Sequence, residues 1–254
     1  VKNLGVIMNK IRSFALALAM AFSFNAFADG DELVVGIEAS SEPFVIIDPK
    51  THDYVGYDID LIKAVAKEAG YKSIKFHDMP FDAMFADVLV EQVDCAISMI
   101  TITEERALIW DFIGPYFNTG LDIMLNKKYQ KEFKRDSDLH DVTICAKTSS
   151  TCEAYALGMS DIQVLSLDSE RKLFEAANEG KCDGVITNEP ILQYYLKVSP
   201  DRDKFYRLGR KLTFAQFGIM TSKNRPDISE RLSQALEKVM KTPYFNEIYR
   251  KWFE

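Results

Sequence analysis

The chain has 254 residues, 47% of them hydrophobic, with 38 acidic against 31 basic side chains. That length suffices for one large domain or two small ones, and the acidic balance argues against non-specific nucleic-acid binding. Only His52, His77 and His140 are present, and the four cysteines match no zinc spacing, so no metal or cofactor is implied.

Residues 1–28 read as an export leader. Lys10 and Arg12 make a basic start, and Phe14 to Phe24 form an apolar run. The run has the length of a signal-peptide core, roughly 7–15 residues, and is too short to span a membrane. Ala26-Phe27-Ala28 is an A-x-A cleavage site; Met8 would make a tidier start than Val1, and an uncleaved anchor is the alternative. Cleavage after Ala28 leaves 226 residues, with 28 basic against 38 acidic side chains and a charge of −10. No second apolar run reaches spanning length, which predicts a soluble mature protein.

From Leu33 onward, short β-rich runs alternate with helical periodicity. Residues 33–37 read as a strand. Residues 58–69 read as a helix, because Ile59, Ile62, Val65, Ala66 and Ala69 line one face before Gly70 ends it. A strand at 73–76, a helix at 81–90 and a strand at 93–97 follow. This repetition is the signature of an α/β layer with a parallel sheet. Residues 126–141 are strongly charged without a sustained apolar stripe, which predicts a solvated connection with a short helix. The alternation then restarts, with strands at 142–146, 162–165, 184–187 and 217–221. Helices are predicted at 151–157, 169–178, 190–196, 228–240 and 244–252. Two successive α/β units predict two lobes, and a small ligand usually sits in the cleft between lobes.

The stretch 94–116, DCAISMITITEERALIWDFIGPY, carries most of the chemistry. Cys95, Ala96 and Ile97 suit a buried strand, and Ser98, Thr101 and Thr103 then alternate hydroxyls with apolar residues. Thr103 is a candidate N-cap, with Glu104 and Glu105 in the first helical turn, where acids suit the dipole. Arg106 opposes it. A bound anion would hold that guanidinium, whose planar fork matches a carboxylate; the alternative is a surface arginine paired with Glu104 or Glu105. In an exported chain the cysteines also invite a disulfide. Cys95 reads as a buried small hydrophobe. Among Cys145, Cys152 and Cys182 one bridge and one spare thiol are expected, with Cys145–Cys182 and Cys145–Cys152 both open.

Taken in order behind a leader, several segments form a recognisable set: LVVGIEASSEPF (33–44), GYDIDLIKAVAKEAG (56–70), VDCAISMITITEERALIWDFIGPY (93–116), TSSTCEAY (148–155), CDGVITNEP (182–190), FGIM (217–220) and IYRKWF (248–253). The chain resembles the polar amino-acid family of periplasmic solute-binding proteins, the receptors of ATP-driven importers. Within it the pattern is nearest the lysine/arginine/ornithine/histidine-binding group. The resemblance implies an α/β fold of two lobes, each a sheet flanked by helices, joined by two crossovers and closing like a hinged trap. Lobe 1 is expected at 29–120 plus 218–254 and lobe 2 at 121–217, with crossovers near 121–125 and 210–217.

By the same resemblance, Arg106 grips the ligand α-carboxylate. Ser98, Thr101 and the backbone of Met99 supply hydrogen bonds, and Thr151 donates from lobe 2. Tyr57 would pack against the ligand side chain. Glu38, with Glu42 close by, would face a basic side chain, since a charge in a cleft needs a partner. The implied ligand is arginine, lysine, ornithine or histidine. A monomeric periplasmic protein would deliver it, without catalysis, to the membrane permease and ATPase subunits of an ABC transporter.

The pattern is broken at Asn188, where the family usually has an Asp for the α-ammonium. Another acid compensates, affinity is lower, or the ligand lacks an α-amino group. Ser41 also replaces an aromatic, Ser149 a Gly and Met99 a Ser. The competing expectation is a prephenate or arogenate dehydratase on the same scaffold, with Glu38 or Glu189 as general acid.

Overall fold

The computed structural model describes residues 32–254 apart from Arg210; the leader and its cleavage site lie outside the described residues. Strands β1 (Glu32–Ile37), β4 (Ser73–Asp78), β5 (Cys95–Ala96), β6 (Trp110–Thr119) and β12 (Ala215–Ser222) form one five-stranded sheet in the order β4-β1-β5-β12-β6. The first three are parallel to one another; β12 runs antiparallel to β5 and β6. A second sheet has the order β11-β7-β10-β8-β9. It is built from β7 (Leu121–Asn126), β8 (Val142–Lys147), β9 (Ile162–Leu167), β10 (Gly184–Asn188) and β11 (Phe205–Arg207). A small ribbon of β2 (Ile46–Ile47) and β3 (Tyr54–Val55) lies beside the first sheet's opening helix.

Each sheet buries both faces, as the near-continuous apolar runs of parallel strands require. Successive residues point to opposite faces. Cys95 and Ile219 therefore join a core with α1 (Tyr57–Glu68), α7 (Pro226–Met240) and α8 (Pro243–Phe253), through Ile62, Leu232 and Ile248. Ala96 and Met220 face the other way, onto Met84 and Val88 of α2 (Phe81–Leu89). In the second lobe, Ile144 and Ile186 pack on α4 (Thr151–Leu157). Cys145 and Val185 pack on α5 (Glu170–Asn178) and α6 (Glu189–Val198) through Leu173 and Leu192. Each such fully buried aliphatic side chain contributes about 1.5–3 kcal/mol. Cys145 and Cys182 are disulfide-bonded, while Cys95 and Cys152 are free and buried. Among the described residues no helix is long and apolar enough to cross a membrane.

The chain changes sheets at Gly120, between β6 and β7, and again between β11 and β12. The two crossovers are stitched side by side. Leu212 N–H donates to Leu121 O at 2.8 Å, and Leu121 N–H donates to Thr213 Oγ1 at 3.2 Å. A Cβ at position 120 would lie 1.9 Å from Thr213 O, so only glycine permits this approach. Residues 121–125, expected as a crossover, are thus a strand of the second sheet, and the first sheet resumes at Ala215 rather than at 218. The connection at 126–141 also departs from expectation. It holds two 3-10 turns, Lys127–Tyr129 and Asp136–Asp138, and Phe133 and Leu139 are buried in the second lobe's core. Two apolar residues pin a segment whose charge density suggested free solvation.

Candidate functional site

Between the sheets, the segment after β5 from lobe 1 meets the start of α4 and the end of β10 from lobe 2. α3 (Glu104–Ile109) begins as expected, with the Thr103 hydroxyl accepting the Arg106 N–H at 3.2 Å. The Arg106 side chain does not return to Glu104 or Glu105. Its Nη1 donates to Thr101 O at 2.9 Å, and its Nη2 donates across the cleft to Ser149 O at 3.2 Å. The guanidinium lies over the Phe85 ring at 4.8 Å. Burial draws its pKa down to about 10, which leaves it charged, and among the described residues it makes no ion pair. It is a half-buried cation without a counter-ion, and a carboxylate fits it.

Around it a cavity of about 20 Å³ is lined by Phe81, Ser98, Met99, Thr101, Thr151 and Asn188, with Lys147, Cys152 and Glu170 also on its wall. Such a space holds little more than one water, so a larger ligand enters only when the lobes part. The Thr101 and Thr151 hydroxyls, one from each lobe, lie 3.4 Å apart. Asn188 is 7% exposed, and its Oδ1 has no hydrogen-bond partner among the described residues. A buried acceptor left open in this way costs about 1–3 kcal/mol unless a donor arrives.

Of the residues expected at the site, Arg106, Ser98, Met99, Thr101, Thr151 and Asn188 line this one cavity. Ser98 and Met99 are engaged within lobe 1. The Ser98 hydroxyl accepts Glu38 N–H at 3.3 Å, and Met99 N–H donates to Asp58 Oδ2 at 2.9 Å. Ser149, expected as a glycine position, adopts φ 61°, the left-handed conformation that favours glycine. Tyr57 is elsewhere. It is 1% exposed in an aromatic cluster with Phe44, Phe117 and Phe253, where its ring is part of the apolar core.

Glu38 is in the cleft but not free. Its carboxylate is ion-paired with Lys147 of lobe 2, and both are almost fully buried. Lys147 also stands over the Phe81 ring at 4.3 Å. Beside the pair lies Glu170, 3% exposed, with the Thr187 hydroxyl 3.0 and 3.1 Å from its two oxygens. Burial pushes the Glu170 carboxyl up to about 7; the Lys147 charge opposes this and Glu38 reinforces it. Lys147 and Glu170 were missed in the sequence. The signal for Lys147 is a charge closing the apolar run of β8; Glu170 looks like any acid in a first helical turn.

Two sheet-and-helix lobes, joined by paired crossovers, enclose an arginine that makes no ion pair among the described residues. The chain belongs to the bacterial extracellular solute-binding proteins, family 3, whose profile matches residues 33–254. It is 25% identical to the ABC transporter glutamine-binding protein GlnH of Bacillus subtilis, over 90% of this chain and 84% of that protein. Among solved structures, an ancestral arginine-binding protein bound to arginine superposes with a TM-score of 0.82 at 30% identity, covering 88% of this chain and 99% of that one. The ancestral amino acid-binding protein AncCDT-1, a precursor of cyclohexadienyl dehydratase, gives 0.81 at 27% identity, covering 88% and 96%.

Proposed function

We propose that this chain is the substrate-binding component of an ABC importer, capturing a polar L-amino acid of the basic class between its lobes and presenting it to a membrane permease. The observation that carries this reading is the pairing, in one small cavity, of an unpaired guanidinium at Arg106 with an unpartnered acceptor at Asn188 Oδ1. The first suits a carboxylate and the second an ammonium, the two ends of a zwitterion. Family membership and the arginine bound by the similar ancestral protein support the same reading.

The ligand meets Arg106 and Thr101 on lobe 1 first, and Thr151 and Asn188 then close from lobe 2. Closure is an equilibrium that the ligand biases through contacts available only when the lobes meet. A dehydratase is disfavoured on its own candidate acids. Glu38 is bound to Lys147, and Glu189 to Arg207 and Lys211. Burial works to raise Glu189, but those two cations outweigh it and hold its carboxyl below the ordinary range, which makes it a poor proton donor.

The test is a thermal-shift screen of ligand-stripped protein against the common L-amino acids. A cognate ligand at about 100 times its dissociation constant stabilises the fold by about 2.7 kcal/mol. Arginine, lysine, ornithine or histidine are expected to respond. Silence across the panel, with turnover of prephenate, would replace this reading with the enzymatic one.

A further inference from the structure

A second cavity of about 250 Å³ adjoins the small one, and Glu170 lines both. Its walls are Phe174, Tyr194 and Tyr195 from lobe 2, with Phe174 and Tyr195 stacked at 4.0 Å. Its polar lining includes Glu42 and Glu175. Aromatic faces and carboxylates together form the surroundings that favour an organic cation. Among the residues lining the two cavities, Glu42, Glu170 and Glu175 stand with Arg106, Lys147 and Arg171, and Glu38, which lines neither, neutralises Lys147.

Glu38 cannot supply the counter-charge, because Lys147 already holds it. Among the described residues Glu170 has no cation within ion-pair distance, only the Thr187 hydroxyl, and it stands at the wall the two cavities share.

We propose that Glu170 is the specificity-determining carboxylate, and that the ligand's cationic side chain runs past it into the aromatic cavity. This rests on the amino-acid reading above and adds the route and the selector. The lobe-1 acid Glu38 is occupied, so selection for positive charge falls to lobe 2 and takes effect on closure.

Arginine and citrulline test the assignment, since they share shape and differ in side-chain charge. Binding of each to wild type and to Glu170→Gln is measured by calorimetry. A charge-assisted contact in a shielded site predicts that wild type prefers arginine by about tenfold or more. In E170Q arginine should weaken by about tenfold while citrulline stays within about threefold. Parallel weakening of both ligands would reduce Glu170 to a structural part and overturn the proposal; so would a wild type indifferent to the charge. The exposed Glu42→Gln gives an independent arm should E170Q fold poorly. It should narrow the arginine preference by about threefold, and an unchanged preference overturns the route through the aromatic cavity. A wild type that binds neither ligand nor any other amino acid overturns the functional reading itself, and this assignment with it.

Discussion

Arg106 shows how a single side chain is legible when it breaks a local rule. A cation in the first turn opposes the helix dipole, and in the fold it is held by carbonyl oxygens of both lobes rather than by the adjacent acids. Truncating it removes the carboxylate's partner and one of the interlobe bridges. Arg106→Ala is therefore expected to weaken ligand binding by at least about 100-fold, in line with the 3–5 kcal/mol that breaking a shielded charge pair costs. Titration calorimetry measures it, and an affinity within twofold of wild type would remove Arg106 from the site. Asn188 was legible as a departure from a pattern, and its orphaned oxygen gives that departure a physical content. Glu38 was legible as a cleft acid, but its partner was not. Lys147 is 109 residues away, and nothing local in either neighbourhood says that the lobes bring them together. Tyr57 sits in the core rather than at the cleft, and an aromatic at a helix start serves either equally well in sequence.

At the level of elements, amphipathic helices and the parallel strands were read to within a few residues, since each repeats a clear period over enough length. Two antiparallel strands, β6 and β7, are harder. β6 contains Gly114 and Pro115, and β7 follows after Gly120 alone, so the punctuation of one long connection concealed two strands in different sheets. The sequence allows two pairings for the disulfide, and only the approach of β8 to the turn before β10 decides between them. The bridge closes a loop across 37 positions inside lobe 2. Replacing both cysteines, Cys145→Ala with Cys182→Ala, should cost about 2–4 kcal/mol. For a protein of this size the melting temperature would drop by roughly 5–12 °C. Scanning calorimetry reads this directly, and a melting point unmoved by the double change would mean that the bridge holds nothing in place.

For the molecule as a whole, two lobes follow from two α/β units, while the line between them was visible only in the sheet pairing. The ion pair Glu38–Lys147 spans that line, each lobe contributing one charge and neither being exposed. Lys147→Met leaves the Glu38 carboxylate without its cation, and with only the Ser40 hydroxyl as donor, when the lobes are shut, and hydrated when they are apart, so it favours the open form. Small-angle X-ray scattering of the ligand-free variant should give a larger radius of gyration than wild type, with a greater contraction on adding ligand. Superimposable curves for the two proteins would show that the pair does not hold the lobes. The same contact bears on how faithfully the receptor reports its cargo. A lobe-to-lobe bond made by protein groups alone biases the open–closed equilibrium toward closure whatever the ligand adds, and a transporter that senses shape alone would answer to that bias. The strength of that bond sets the background against which a true capture is heard, and the ligand's own contacts are the signal above it.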